Sequence, residues 1–292
     1  MTSMASPAAR RPAATGSAPG LLRLDRLPWW AIIIVATGLI LTYLILASPT
    51  YRDTFDFLVI GVTVTIRITL LAYLLATIIG LVTGLARTSK NPILFTIATL
   101  YVETARGVPL IVLMLYVAYV IIPAVISLLQ AIGNWGVGLG QASLEPAFAS
   151  LAGVSIRQVN TEMRGVFALA IGYGAYEAEI FRAGIQSISR GQMEAARSIG
   201  MTYPQAMRFI ILPQAIRRVL PPLGNDFIAC LKDSSLLTVL AVNELTQLGR
   251  LRRASTFRVF ETFNVVTYLY LAMTMLLSAI VRFIEQRMRI EE

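Results

Sequence analysis

The chain has 292 residues, of which 56% are hydrophobic and only 14% are charged. Soluble domains carry about 25% charged residues, so this composition is typical of a polytopic membrane protein. The formal net charge is +9, but we expect the basic residues in loops and at chain ends to orient membrane spans, and no nucleic-acid partner is expected. Histidine is absent and Cys230 is the single cysteine, which excludes histidine catalysis, histidine-based metal sites and an intramolecular disulfide.

The N-terminal segment is rich in Ala, Pro, Ser and Gly and carries four arginines. Such a segment cannot build a core, so residues 1–28 are predicted to be a disordered cytoplasmic tail. A targeting peptide is the rival interpretation, but the apolar run that follows is too long for a signal sequence. That run, 30–47, opens with Trp29 and Trp30 at the expected interface and predicts a first span that passes from inside to outside.

The next part of the chain predicts two more spans. Residues 48–57 are expected to be a short external loop, and 58–86 a span that returns inward. Residues 92–129 are too long for one straight span, and Gly107 and Pro109 predict a short helix, a break and then a full span. A break at membrane depth is tolerated where protein or water satisfies the freed backbone, so it either lines a pathway or is a plain cytoplasmic kink.

The middle of the chain is more polar. Residues 131–165 lie outside by span counting and are predicted to be an external loop, which either helps to dock an external protein or is merely solvated. The fourth span, 166–188, carries three charged residues in its second half. Two of them, Glu179 and Arg182, are spaced i, i+3 and can pair on one helix face.

Two spans complete the predicted topology. The fifth is expected over 219–242 and the last over 263–283. Span counting places the arginine-rich segment 243–260 outside, against the positive-inside rule. The sequence therefore predicts an all-α polytopic membrane protein, with about six transmembrane helices in a domain over 29–292 and both termini in the cytoplasm.

Between the fourth and fifth spans, residues 192–213 predict a helical elbow. Good helix formers lead to Gly200, which is expected to stop the first helix in a left-handed conformation. Thr202 is predicted to be the N-cap of a second helix, with Pro204 in its first turn and Pro213 at its end. A polar elbow at a membrane surface is suited to being gripped by another protein.

The spacing of this elbow resembles, position for position, the EAA motif of the membrane subunits of ABC importers. The motif residues in this chain are Glu194, Ala195, Ala196, Gly200, Ile210, Leu212 and Pro213. Further stretches resemble the polar amino acid branch of that family, and they are 101–103, 106–110, 178–185, 220–225 and 231–236. The resemblance runs over about residues 58–285.

The resemblance implies that the elbow, residues 189–216, is the coupling element that sits in a groove of a cytoplasmic ABC ATPase. It also implies an external solute-binding protein, a second permease copy or a related permease chain, and an amino acid substrate. The expected architecture is a five-helix importer core with one extra N-terminal helix, in a prokaryotic cytoplasmic (inner) membrane. No G-x-x-x-x-G-K-[ST] loop is present, so ATP and Mg are expected on the partner ATPase and no cofactor on this chain.

Polar residues at membrane depth are costly and tend to face a bundle interior or a wet path. The candidates for a substrate pathway are Arg106, Asn225, Asp226, Lys232, Asp233 and Ser234. In one interpretation they line a cavity that passes a zwitterion, whose carboxylate needs cations or N–H groups and whose ammonium needs carboxylates or carbonyls. In the other interpretation, polar residues of the spans form structural pairs near the cytoplasmic ends. This second interpretation is favoured for the pair of Glu179 and Arg182.

A permease subunit of an ATP-driven importer of polar amino acids is the leading hypothesis. The alternative is a self-contained ion-coupled secondary transporter, which predicts internal repeats with paired broken helices, and no convincing repeat is visible in the sequence. A membrane enzyme is a weaker hypothesis, because histidine and clustered carboxylates are absent.

Overall fold

The computed structural model describes residues 29–139 and 144–288, and this part of the chain is almost entirely helical, without a strand. The helices are α1 Trp29–Ala47, α2 Pro49–Ala86, α3 Pro92–Gly107, α4 Leu110–Tyr116, α5 Ile122–Gly138, α6 Glu145–Ala152, α7 Thr161–Gln186, α8 Arg190–Ser198, α9 Tyr203–Ala206, α10 Leu212–Asp233, α11 Leu245–Thr256 and α12 Val259–Met288. The chain divides into two compact units: 1–40, whose described residues are the first part of α1, and 41–292. The predicted tail, 1–28, lies outside the described residues.

Three helical segments in the described ranges are long and apolar enough to cross a membrane, judged by length and composition: Pro49–Ala86, Leu110–Gly138 and Val259–Arg287. A shorter apolar helix covers Ile32–Ala47. The other long helices, α7 and α10, carry charged residues within their length. The all-α polytopic fold is confirmed, whereas the count of six spans stays a prediction.

The second span begins at Pro49, so the prediction of an external loop over 48–57 is wrong. Ser48 separates α1 from α2, and Pro49 stands in the first turn, where its missing N–H leaves no bond unmade. The polar composition suggested a loop, yet Thr54 is fully buried within this stretch and Leu58 directly after it. Tertiary packing of one face therefore keeps these residues helical in spite of their charged neighbours.

The close packing of α2 on α7 depends on two glycines of α2. A Cβ on Gly80 would lie 2.6 Å from the Cβ of Glu177, and one on Gly84 would lie 2.8 Å from the carbonyl oxygen of Ala178. Both distances are well inside van der Waals contact, so only glycine allows the two helices to approach this closely. The approach presses the side chain of Glu177 against the backbone of α2.

Two helical segments pass through a proline by widening one turn. Val117–Ile121 and Met207–Ile211 are π-helical turns, and Pro123 and Pro213 follow them two residues later. The first N–H after each turn bonds to the carbonyl five residues back. The wider turn accommodates the proline ring and its missing donor, so the helix continues. The prediction that Pro213 ends the second elbow helix is therefore wrong, because α9 runs through the π turn into α10.

The segment 131–165 was predicted to be an external loop, but most of its described residues are helical. Helix α5 extends to Gly138, and α6 packs back against it. A Cβ on Gly136 would lie 2.1 Å from the ring of Phe148, so a glycine notch in α5 receives this side chain of α6. The two helices form a packed hairpin, whose external position and role stay predictions.

The predicted fifth span, 219–242, has different bounds in the structure. Helix α10 already begins at the π turn and ends at Asp233, and a 3-10 helix, Ser234–Leu240, follows it. Ala241 then adopts a left-handed conformation with φ 55°, which redirects the chain into α11. The segment after α10 is thus a compact corner followed by a short amphipathic helix.

Candidate functional site: the helical elbow and the polar groups of the spans

Helices α8 and α9 form an elbow around Gly200. Helix α8 begins after Ser189, whose hydroxyl accepts the N–H of Gly191 at 3.2 Å. Gly200 has φ 87°, which is the left-handed conformation predicted for it. Thr202 caps α9, and the Gln205 side chain accepts the N–H and the hydroxyl of Thr202 at 2.8 and 2.9 Å. The left-handed glycine and the N-cap are both confirmed.

The elbow has a small apolar core of its own. It comprises Ile188, Ile211 and Ala215, with Met193, Met207 and Ile210 packed against them. Ile210, one of the predicted coupling residues, is partly buried against this core, and Ala196 is buried. These two residues shape the elbow from inside rather than presenting a surface.

The outer surface of the elbow mixes polar and apolar side chains. The predicted coupling residues Glu194, Ala195, Leu212 and Pro213 are exposed. Three large apolar side chains are exposed as well, Ile199 by 75%, Tyr203 by 57% and Phe209 by 61%. Sequence reasoning missed these three, although an isoleucine directly before a helix-ending glycine was a visible signal. Apolar groups clustered on a polar elbow are typical of a protein-binding surface.

Arg87, which follows α2, connects three helices. Its Nη1 donates to Glu179 of α7 at 3.0 Å and its Nη2 donates to Glu103 of α3 at 3.1 Å. Arg182 donates to the same Glu179 through Nε at 3.0 Å. The expected Glu179–Arg182 pair is therefore part of a larger network, whose central Arg87 side chain is only 11% exposed. Because it is partly buried, such a network contributes more to the stability of the protein than an isolated surface ion pair does.

Acidic groups with buried oxygens lie on α7 and α10. Glu177 is fully buried close to the Thr77 hydroxyl of α2, and neither of its carboxylate oxygens forms a well-aligned hydrogen bond in the part of the chain that the structure describes. The same holds for the buried Oδ2 of Asp226, while Asp233 accepts the Tyr173 hydroxyl at 2.8 Å. Glu177 was not among the predicted pathway residues. A buried carboxyl without a well-aligned hydrogen bond is costly and favours a functional role.

The other predicted pathway residues are dispersed. Asn225 and Ser234 each donate to a carbonyl three or four residues earlier, at 3.2 and 2.8 Å. The guanidinium of Arg106 lies 5.6 Å from the ring centre of Tyr176, and Lys232 is exposed. No group of three His, Cys, Asp or Glu side chains within the described ranges is placed to hold a metal ion.

Comparison with known proteins agrees with the resemblance seen in the sequence. Residues 76–290 match the protein family described as binding-protein-dependent transport system inner membrane component. The glutamine transport system permease protein GlnP of Escherichia coli (strain K12) is 34% identical over 233 residues, which cover 80% of this chain and 93% of GlnP. The probable glutamine ABC transporter permease protein GlnM of Bacillus subtilis (strain 168) is 51% identical over 124 residues, 42% of this chain and 57% of GlnM.

A solved structure shares the fold. The crystal structure of an amino acid ABC transporter with histidines superposes with a TM-score of 0.64 at 33% sequence identity. The superposition covers 83% of this chain and 97% of the other. The family match over residues 76–290 includes the helices that carry the elbow and the acidic groups.

Proposed function

This chain belongs to the family of binding-protein-dependent transport system inner membrane components, and from that premise we propose that it forms the membrane pathway for glutamine or a related polar amino acid. It is a permease subunit of an ABC importer and not an enzyme, and a separate chain hydrolyses ATP. It is a multi-pass protein of the inner membrane, and we place both termini in the cytoplasm.

The observation that carries the proposal is the elbow between α7 and α10. Its exposed residues Glu194, Ile199 and Tyr203 surround Gly200, next to which a Cβ would meet no atom within 4 Å. This open, partly apolar surface suits insertion into a groove of a cytoplasmic ATPase that carries ATP and Mg. Because α9 runs without interruption into α10, a displacement of the elbow is transmitted directly to that helix.

We place the substrate pathway along α10 and the break before α4. Asp226, with a buried unpartnered oxygen, offers an acceptor for an α-ammonium, and Arg106 offers a cation for an α-carboxylate. Asn225, Lys232, Asp233 and Ser234 complete the proposed lining. A second permease copy or a related chain would close the pathway, and an external solute-binding protein would deliver the amino acid. ATP-driven closure of two ATPases would then switch the pathway between outward and inward access.

A cross-linking experiment tests the docking part of the proposal. Cys230 is the single cysteine and is buried, so a Cys230→Ala background makes one introduced cysteine unique. Ile199→Cys on the elbow is compared with Trp135→Cys on α5, another highly exposed site outside the elbow. A candidate partner ATPase is co-expressed, and the complex is treated with a short bifunctional maleimide.

The proposal expects a permease–ATPase adduct from Ile199→Cys and none from Trp135→Cys. An adduct from both variants, or none from the elbow in a complex that still co-purifies, would show that the ATPase docks elsewhere.

A further inference from the structure

Hydrogen bonds to a buried glutamate fix the N-terminus of helix α11 within the protein. The buried carboxylate of Glu244 accepts the N–H groups of Thr246 and Gln247 at 2.8 and 2.7 Å. It also accepts the hydroxyl of Tyr270, on α12, at 2.9 Å. This buried carboxyl group is therefore satisfied by the first turn of α11 and by the neighbouring helix, so α11 begins at a fixed place.

Close contacts at two glycines allow α11 to pack against α2 and α12. A Cβ on Gly61 of α2 would lie 2.7 Å from the Cα of Leu245, and one on Gly249 of α11 would lie 2.8 Å from Cγ2 of Val266. The apolar side of α11 is thus packed tightly between two helices. Its opposite side is consequently presented in a fixed orientation.

The exposed part of α11 and the corner after it carry three exposed arginines, which we name the basic face. The basic face comprises Arg250, Arg253 and Arg258, whereas Arg252 is half-buried on the packed side of the helix. None of them takes part in an ion pair with another residue of the described ranges. Arg250 donates to the Thr238 hydroxyl at 3.1 Å, and the Arg252 guanidinium lies 5.4 Å from the ring centre of Phe57. Three exposed positive charges are therefore present here without an acidic partner among the described residues.

Two phenylalanines place the basic face at the depth of the membrane interface. Phe257 and Phe260 are 86% and 82% exposed, and they flank the start of the apolar span Val259–Arg287. Phe257 also adopts φ 57°, a left-handed conformation that is unfavourable for a residue with a Cβ. Exposed aromatic rings at the end of a span, beside arginines, are suited to the boundary between acyl chains and headgroups.

We propose that the basic face is a binding site for anionic phospholipid headgroups. Arginine binds phosphate through two parallel N–H donors, and the adjacent phenylalanines would contact the acyl chains of the same lipid. The predicted topology places these residues outside, where the positive-inside rule disfavours basic side chains, and the lipid phosphates would compensate their charge. An acidic protein is the weaker partner, since a soluble surface would not cover Phe257 and Phe260 at the start of a span.

Native mass spectrometry of the full chain in neutral detergent tests the proposal, with phosphatidylglycerol and phosphatidylcholine of matched acyl chains as probes. The test variant is Arg253→Gln/Arg258→Gln, because both side chains are exposed. Lys90→Gln/Arg157→Gln removes the same charge elsewhere and serves as the matched control. Arg253→Lys/Arg258→Lys keeps the charge and tests its role directly.

The wild type is expected to retain phosphatidylglycerol in preference to phosphatidylcholine. Removal of two arginines should weaken phosphatidylglycerol binding roughly 25-fold, at about fivefold for each basic residue near an anionic lipid. The lysine variant should keep most of the affinity and the control variant all of it. Equal binding of the two lipids, or unchanged binding by the glutamine variant, would overturn the proposal. Binding of soluble glycerol phosphate as tightly as the lipid would do so too, because it would show that acyl chains contribute nothing.

Discussion

Replacement of Gly200 by valine perturbs the elbow at one backbone position. Gly200 has φ 87°, and a Cβ at this position would meet no atom of the chain within 4 Å. The internal cost is therefore conformational, about 1–2 kcal/mol for a residue with a Cβ and more for a β-branched one. A cost of this size lowers the population of the observed elbow by roughly 5- to 30-fold. Membrane insertion and span packing should be unaffected.

The assay is co-purification of the ATPase with the variant, together with amino acid uptake into proteoliposomes. Gly200→Val is expected to weaken ATPase recovery by at least that factor and to abolish uptake. Gly200→Asn separates two causes, because asparagine tolerates the left-handed conformation but still places a side chain in the docking surface. Gly138→Val is the matched control, since a Cβ there also meets nothing within 4 Å and its φ is not positive.

The outcome of the two elbow variants distinguishes the mechanisms. Loss with valine but not with asparagine would assign the effect to backbone strain, and equal loss with both would assign it to intrusion on the ATPase groove. Normal ATPase recovery together with normal uptake in Gly200→Val would show that the elbow is not the coupling element.

Three further predictions follow from the same account. The purified chain alone should release no phosphate from ATP, because its sequence lacks a phosphate-binding loop; hydrolysis that persists after removal of contaminating ATPases would contradict this. A truncation that begins at Thr50 should still assemble with the ATPase but in lower yield, because it removes the buried side chain of Ile45; complete loss of uptake by a correctly inserted truncation would assign the first span to the mechanism. Arg87→Gln should lower the free energy of unfolding by about 1–3 kcal/mol, because it leaves Glu179 without one of its charged donors. The Tm of the detergent-solubilised chain should fall accordingly, and an unchanged Tm would refute a structural role for the network.

Local backbone chemistry was predictable from the sequence. A glycine after a run of helix formers identified the left-handed stop at Gly200, and Thr202 was identified as an N-cap before a proline. Both features depend on residues within one or two turns of each other. The spacing of the whole elbow motif, matched to a known family, then supplied the function that local rules alone do not contain.

Features that depend on tertiary packing were not predictable. Pro213 reads as a helix end, but the π turn before it lets the helix continue, and nothing in the local composition signals such a turn. The charged stretch 48–57 reads as a loop, but the burial of Thr54 keeps it helical. Glu177 reads as one of several span charges, and only the packing of α7 on Gly80 shows that it is buried without a well-aligned hydrogen bond.

ATP-dependent uptake tests the central claim most directly. The chain is reconstituted into proteoliposomes with a candidate partner ATPase, and the solute-binding protein and labelled glutamine are added outside. A permease subunit of an ABC importer should give glutamine accumulation that requires ATP inside the vesicles and is lost when the ATPase is omitted. Accumulation driven by an ion gradient alone, in vesicles without the ATPase, would contradict the account and identify the chain as a secondary transporter.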